Sequence, residues 1–240
     1  MTIPPMDVRL ANGIDAAPAA RGHVVVIDVI RAFTTAAFAF EAGAERIVLV
    51  SQVEDALALR RRFAGCVLVG EIGGRPIPGF DFGNSPHDVE TAGRAAFVGR
   101  TVVHRTGNGT QGVVAAARAD AVYLGSLVVA SATARLLVRR NADPVTLLAM
   151  GSASGADGRE DVACRTYLAD VLAGRAPDRE AAVRDVRESR GGRMALDPSI
   201  DWISPQDLDC TTSVDRFDFA MPVGREDGLL VARRVDLPRG

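Results

Sequence analysis

VVVIDVIRAFTTAAFAFEAGAERIVLV, residues 24–50, decides the fold class of this chain. A β-branched run predicts a strand over residues 24–28, and a second apolar run predicts another over residues 46–50. Between them, an alanine-rich apolar stretch predicts a helix over residues 32–42. A strand, a helix and a strand in this order are typical of a βα unit in a parallel sheet.

The same alternation continues toward the C-terminus. It predicts further strands over residues 66–69, 101–104, 121–124 and 145–149, and helices over residues 53–63, 109–117, 130–140 and 160–173. The fold class is therefore α/β, with a mixed, largely parallel central sheet.

The C-terminal part of the chain has a different pattern. Residues 174–192 predict a solvated helix followed by a Gly-Gly loop, and residues 204–235 predict short strands. We expect one domain over residues 1–240, or two coupled subdomains in which the segment from about residue 193 to 240 adds strands to the sheet.

Composition excludes several classes of function. All 28 basic residues among the 240 are arginine, so no lysine is available for a phosphate loop, a Schiff base or a hydrolase triad. The net charge of −2 is spread evenly, which argues against nucleic acid as a partner. No apolar run is long enough for a membrane span and no secretory leader is visible, so we expect a cytoplasmic protein. Its three cysteines lack CxxC spacing, which argues against disulfides and structural zinc.

Polar side chains follow the predicted strands, at the sheet edge where α/β proteins bind ligands. Asp28 ends the first strand, and Arg31 follows in the first turn of a helix. Three roles for Asp28 stay open at this stage: a metal ligand, a nucleophile, or a cap for the helix that begins near residue 32.

A long loop follows the third predicted strand. GEIGGRPIPGFDFGNSP, residues 70–86, carries Glu71, Arg75, Asp81 and Asn84 among five glycines and three prolines. Loops of this length in a compact domain are usually functional or disordered. Because the prolines favour a fixed path, we interpret this loop as functional.

Two more segments join strands to helices, and each has two interpretations. HRTGNGTQG, residues 104–112, is either a tight turn or an anion-binding helix start built around Asn108, Gly109 and Thr110. In MGSASGADGREDVACR, residues 150–165, Glu160 and Asp161 are either favourable charges in a first helical turn or functional carboxylates.

The convergence of these segments on one sheet edge favours a metal-dependent site for an anionic ligand. Carboxylate oxygens, waters and a substrate phosphate are the ligands that Mg²⁺ prefers. Arginines then offer planar forks to phosphate, sulfonate or carboxylate groups. We assign possible catalytic roles to Asp28, Glu71, Glu160 and Asp161, and metal binding to Asp28, Glu71, Asp81 and Glu160. The three histidines show no catalytic pairing and are left out, and Cys164 is assigned to packing.

At these segments the sequence resembles the 2-phosphosulfolactate phosphatase family. The resemblance rests on DVIRAFTT from Asp28, GFDFGNSP from Gly79, NGT at Asn108, LGS at Leu124 and EDVAC from Glu160. It implies a three-layer α/β/α fold, an Mg²⁺-dependent phosphatase step of coenzyme M synthesis, a small anionic phosphoester as substrate, and a homodimer. From the chemistry of the side chains at these segments, the residues expected to bind the substrate are Arg31, Arg75, Asn84, Asn108, Gly109, Thr110, Ser126 and Arg165.

The alternatives differ in chemistry. Haloacid-dehalogenase-type phosphatases and isochorismatase-like hydrolases both need a lysine that this chain lacks. A relative without catalysis that binds an anionic metabolite stays open, because Ile72 and Gly107 stand where the family tends to have Arg and Thr, and Val128 and Val129 replace a polar residue after LGS.

Overall fold

The computed structural model describes residues 6–151 and 158–238 of the chain. Its strands are β1 (Val8–Asn12), β2 (His23–Ile27), β3 (Arg46–Val50), β4 (Val67–Ile72), β5 (Arg75–Pro76), β6 (Thr101–Arg105), β7 (Ala121–Gly125), β8 (Val145–Ala149), β9 (Phe219–Glu226), β10 (Leu229–Ala232) and β11 (Val235–Asp236). All six strands predicted from the sequence are present, within three residues at each end.

Helices occupy most of the connections between the strands. They are α1 (Ala32–Glu41), α2 (Val53–Arg62), α3 (Pro86–Phe97), α4 (Gly109–Ala115), α5 (Ala130–Arg139), α6 (Arg159–Leu172), α7 (Arg179–Glu188), α8 (Arg190–Ala195) and α9 (Pro205–Thr211). Short 3₁₀ helices lie at Ile14–Ala19 and Leu127–Val129. No helix among the described residues is long and apolar enough to cross a bilayer.

The strands form one mixed sheet in the order β1-β8-β2-β7-β9-β10-β3-β6-β4-β5, with β11 paired to β9. The sheet contains two parallel blocks, β1-β8-β2-β7 and β3-β6-β4. Strands β9 and β10 join them: β9 pairs with β7, β10 pairs with β3, and β9 pairs with β10, all three antiparallel. The predicted mixed, largely parallel sheet is confirmed. The C-terminal strands β9 and β10 lie in the middle of the sheet.

The two parallel blocks run in opposite directions, because three antiparallel pairings separate them. In a flat sheet, the carboxyl ends of β2 and β4 would lie at opposite edges. Here the ends of both strands line one cavity, and α4 contacts both β2 and β3. The sheet is therefore coiled, as the normal twist of about 20–25° per strand allows over several strands.

Helices cover both faces of the sheet, which confirms the three-layer α/β/α fold. On one face, Val24, Val26 and Ile47 pack against α1 through Phe33 and its neighbours. On the other face, α5 and α6 cover the first block, and α2 covers the second. Since every central strand is buried on both faces, its side chains are apolar almost throughout, as the sequence indicates.

Two predictions for the C-terminal third were wrong. Gly191 and Gly192 do not form a loop: they lie in α8, which begins because the Ser189 side chain accepts a hydrogen bond from the Gly192 N–H. The tail predicted as short strands begins instead with α9, which a Ser204–Asp207 capping box starts.

Candidate active site

A cavity of about 410 Å³ lies where β2, β4, β6 and β8 end. Its polar wall is formed by Asp28, Arg31, Glu71, Asn84, Asn108, Glu160 and Arg190. Its apolar wall is formed by Ile30, Met194, Trp202 and Ile203. Backbone from the glycines at 73, 74, 107, 151, 158 and 191 completes the lining. The carboxylates predicted from three separate segments thus meet in one place, except for Asp81 and Asp161.

Asp28 is buried at the end of β2 and held by backbone groups. Its Oδ1 accepts a hydrogen bond from the Ala32 N–H at 3.0 Å, and the Gly109 N–H also donates to the carboxylate. Burial raises the pKa of Asp28 to about 7, and the charges of Glu71 and Glu160 add to this effect, against the lowering by the backbone donors. Asp28 therefore caps α1 and also faces other carboxylates.

The backbone N–H groups at the start of α4 donate to side chains of the protein itself. A Cβ on Gly109 would come within 2.8 Å of both Asp28 Oδ2 and the Ala32 Cβ, so only glycine allows α4 this close to Asp28. The next N–H, that of Thr110, donates to Thr106 Oγ1 at 3.1 Å. The predicted anion cradle thus holds Asp28 and Thr106. Asn108 lines the cavity, and its amide donates to the Gly151 carbonyl.

Glu71 ties the end of β4 to two neighbouring backbone segments. Its carboxylate accepts hydrogen bonds from the Gly74 N–H at 2.7 Å and from the Gly107 N–H. The backbone carbonyl of Glu71 accepts a further bond from Arg105 Nη1 at 2.7 Å. Gly107, which departs from the family's usual residue, therefore contacts Glu71 through its backbone.

Glu160 and Asp161 begin α6 but face different surroundings. Glu160 is buried and lines the cavity. Asp161 lies behind it, where its two oxygens accept hydrogen bonds from the Val29 N–H at 2.7 Å and the Gly151 N–H at 2.9 Å. Burial raises the pKa of Asp161 well above its usual value, with smaller contributions from Asp28 and Glu160. Asp161 thus joins the ends of β2 and β8 and does not line the cavity.

Arg31 is a buried cation on the cavity wall. Its Nη1 lies 3.3 Å from Asp207 Oδ2, and its Nη2 donates to the Gly74 carbonyl at 3.0 Å. Burial lowers the pKa of Arg31, whereas the charges of Asp207 and Glu71 raise it. Nearby, the Oδ1 of the buried Asn84 accepts a hydrogen bond from His104 Nε2 at 3.3 Å.

A sequence model of the 2-phosphosulpholactate phosphatase family matches residues 10–194, more than three quarters of the chain. This chain belongs to the 2-phosphosulfolactate phosphatase family. The match contains every cavity residue predicted from the sequence. The segment that supplies Trp202, Ile203 and Asp207 follows the matched range.

Several relatives carry the same printed name, "Probable 2-phosphosulfolactate phosphatase". The protein from Carboxydothermus hydrogenoformans is 39% identical over 168 residues, which are 69% of this chain and 64% of that protein. The Thermus thermophilus protein is 42% identical over 72% of this chain and 68% of its own. The Bacillus subtilis protein is 31% identical over 88% of this chain and 91% of its own. The alignment with the Carboxydothermus relative thus spans slightly less than two thirds of that protein's length.

Of the predicted site residues, Asp161, Gly109 and Thr110 support the cavity without lining it, and four more lie away from it. Asp81 accepts hydrogen bonds from Arg60 at 2.5 Å and from the Leu68 N–H at 2.8 Å. The Arg75 guanidinium lies 4.0 Å from the centre of the Trp202 ring, on the exposed side. Neither side chain lines the cavity, so we withdraw Asp81 as a metal ligand and Arg75 as a substrate contact.

Arg165 and Ser126 are the other two predicted site residues that do not reach the cavity. Arg165 Nη1 donates to the Ala11 carbonyl and to the Asn12 side chain on β1 and does not line the cavity, so we also withdraw it as a substrate contact. Ser126 is fully buried behind the cavity wall, and its Oγ has no hydrogen-bond partner among the described residues. Cys164 is buried as well, and burial together with Asp161 and Asp215 raises the pKa of its thiol well above the usual value. A thiol held protonated is a poor nucleophile.

Sequence reasoning missed the contribution of the C-terminal segment. Trp202 and Ile203 line the cavity, Asp207 pairs with Arg31, and Met194 and Arg190 extend from α8. The motif SPQD at Ser204 does signal a helix start, but no local pattern indicates which distant arginine its Asp meets.

The donor set of the cavity fits a hard divalent cation that the substrate helps to hold. Within residues 6–151 and 158–238, no three acidic, histidine or cysteine side chains stand close enough to enclose an ion by themselves. Magnesium usually takes only one or two carboxylates, with waters and phosphate oxygens for the rest. Asp28, Glu71 and Glu160 offer such oxygens from one cavity wall.

Proposed function

We propose that this chain hydrolyses 2-phosphosulfolactate to sulfolactate and inorganic phosphate, with Mg²⁺ as cofactor. In this reaction a phosphorus–oxygen ester bond breaks and a water oxygen bonds to phosphorus. The observation that carries the proposal is the meeting of three carboxylates, one buried arginine and two carboxamides in a single cavity of a member of this family.

The proposed metal ligands are Asp28, Glu71 and Glu160. When bound, Mg²⁺ would polarise the phosphoryl oxygens and offset the negative charge of the phosphoryl group that the nucleophile approaches. Asp28 is the best placed of the three, because backbone donors from Ala32 and Gly109 fix its direction. We favour the ligand role for Asp28 over attack on phosphorus, because the chain has no lysine of the kind that accompanies an aspartate nucleophile, and both roles need its charge.

The remaining polar groups supply binding and orientation. The guanidinium of Arg31 offers paired N–H donors to an anionic oxygen of the substrate. The amides of Asn84 and Asn108 add neutral donors at the cavity wall. Arg31 and Asn84 are buried, and the lower dielectric around buried groups strengthens their interactions with a phosphate or sulfonate.

A homodimer is also proposed, on the family resemblance alone, and the cytoplasmic location that the sequence predicts is proposed with it. Light scattering coupled to size exclusion checks the first: a mass of about twice the 25.3 kDa of the chain is expected. A single-chain mass at micromolar concentration would contradict it.

Phosphate release from 2-phosphosulfolactate, measured with Mg²⁺ and with EDTA, tests the proposed function. We expect turnover only with Mg²⁺, and equal turnover for the variant Asp81→Asn, because Asp81 faces away from the cavity. If no phosphomonoester is hydrolysed although inorganic phosphate binds, the chain is a binding protein for an anionic metabolite and the proposal fails.

A further inference from the structure

Asp207 reaches the cavity wall from a segment that the family match does not include. It lies in the first turn of α9 and is 2% exposed. Its Oδ2 is 3.3 Å from Arg31 Nη1, across 176 residues of sequence. Its partner Arg31 is buried to almost the same degree, so the two charges meet away from solvent.

The carboxylate of Asp207 is fixed from several sides. Its Oδ1 accepts hydrogen bonds from Ser85 Oγ at 2.5 Å and from the His87 N–H at 3.3 Å. Its Oδ2 also accepts from the Ser204 N–H at 3.0 Å. The starts of α3 and α9 therefore hold this carboxylate in one position, and through it they hold the guanidinium of Arg31.

Arg31 retains donors for a ligand. A guanidinium has five N–H groups, and the bonds to Asp207 and to the Gly74 carbonyl use two of them. With one side anchored in this way, the planar group cannot rotate freely, so its other N–H groups keep one direction at the cavity wall.

We infer that Asp207 is a positioning residue, which orients Arg31 to bind an anionic oxygen of the substrate. Asp207 acts through Arg31 and does not line the cavity itself. The inference rests on the proposed function for the identity of the substrate. Substrate affinity in this chain then depends on α9, a C-terminal helix beyond the matched family region.

A purely structural role for Asp207 makes a different prediction. Asp207 forms a capping box with Ser204, and a cap contributes to stability whether or not a ligand binds. Ser204→Ala removes the hydrogen bond from the Asp207 N–H and leaves the carboxylate on Arg31. Ser85→Ala removes a cap bond of the same kind, from the Asp88 N–H, but also the bond to Asp207 Oδ1. The two variants are matched in helix capping and differ in their contact with the Asp207 carboxylate.

The experiment is a double-mutant cycle on the full chain, with KM for 2-phosphosulfolactate and the melting temperature measured for each variant. We expect Asp207→Asn to raise KM at least about tenfold and Ser85→Ala at least about threefold, while Ser204→Ala leaves KM within about twofold. In an Arg31→Ala background, Asp207→Asn should raise KM no further, because the two residues act as one unit.

Two results would overturn the inference: equal KM values for Ser85→Ala and Ser204→Ala, or multiplicative effects of Arg31→Ala and Asp207→Asn. If Asp207→Asn alone does not fold, the comparison of Ser85→Ala with Ser204→Ala decides. If even the wild type lacks turnover, the proposed function fails, and calorimetric Kd values for inorganic phosphate replace KM. The substitution Asp207→Asn must then weaken phosphate binding while Ser204→Ala does not. Any other pattern contradicts the positioning role of Asp207.

Discussion

The backbone of Gly74 lies directly against the indole of Trp202. A Cβ on Gly74 would come within 2.3 Å of Trp202 Nε1. The same glycine donates its N–H to Glu71 and accepts from Arg31, so the indole supports a turn that contacts two charged cavity residues. The contact explains why no larger side chain fits at position 74.

Gly74→Ala is therefore expected to disturb the cavity, whereas Gly73→Ala is its matched control. Both glycines have positive φ, of 89° and 58°, so alanine is strained at either position by about 1–2 kcal/mol. Only at position 74 does the added methyl group also meet Trp202; at position 73 nothing lies within 4 Å.

We expect Gly74→Ala to lower turnover at least about tenfold relative to Gly73→Ala. Trp202 is the single tryptophan of the chain, so its fluorescence emission should shift in the first variant and not in the second. Identical spectra and rates for the two variants would show that the contact with Trp202 does not support the site.

Asp28→Asn should separate catalysis from helix capping. Asparagine keeps an oxygen that can accept from the Ala32 N–H, so the melting temperature should change little. Turnover should fall at least about a hundredfold, or about 2.7 kcal/mol of barrier, because the charge is lost. Circular dichroism melting and phosphate release measure the two effects. Near-normal turnover would reduce Asp28 to a cap and leave Glu71 and Glu160 as the metal ligands.

Arginine substitutions distinguish Arg31 on the cavity wall from Arg165, which contacts β1. Arg31→Lys should raise KM at least about tenfold, because lysine keeps the charge but loses the planar fork that contacts Asp207 and Gly74. Arg165→Lys should leave KM within about twofold, since Arg165 binds β1 residues. Initial-rate kinetics compare the two, and a larger effect at Arg165 would be incompatible with the described site.

His104 should make stability depend on pH. Burial lowers the pKa of His104 to about 4, from an ordinary value of 6.5. Between these values the unfolded chain binds a proton that the folded chain does not, so this contribution is fully present above pH 6.5 and is lost as the pH falls toward 4. From pH 8 to pH 5 the loss is about 2 kcal/mol.

The variant His104→Gln removes this titration and keeps a side-chain donor toward Asn84. Urea unfolding at both pH values should show a loss about 2 kcal/mol greater in the wild type than in the variant. Equal losses would mean that His104 becomes protonated in the folded protein without cost. The comparison cancels other groups, such as Asp28, that titrate in both proteins.

The strands and most helices could be predicted because local pattern and burial agree. Strand β3 has the predicted bounds, since a β-branched apolar run fits a strand that is covered on both faces. Helix α3 was missed although Ser85 and Pro86 mark its start, because Gly93, at φ 57° and ψ −158°, interrupts its helical geometry. Strand β1 was also missed: it lies at a sheet edge, where Leu10 is exposed and the pattern is weak.

For the cavity, the sequence predicts where the backbone of a residue lies but not where a long side chain points. A strand end places Asp28 and Glu71 correctly, since each continues the direction of a buried strand. It does not decide the direction of long side chains in loops and helices, so Arg75 and Arg165 were assigned to a cavity that they do not reach. Asp207 needs the complete fold, because its pairing with Arg31 depends on the packing of α9 beside α3.

Phosphate release from 2-phosphosulfolactate by the purified chain tests the proposed metal-dependent phosphatase most directly, in three samples: with Mg²⁺, after dialysis against EDTA, and after Mg²⁺ is restored. We expect turnover in the first, loss of at least about a hundredfold in the second, and recovery in the third, because the charge of Asp28, Glu71 and Glu160 needs a cation before a phosphate can approach. Undiminished turnover in EDTA would contradict the metal site, and no turnover in any of the three samples would contradict the proposed phosphatase.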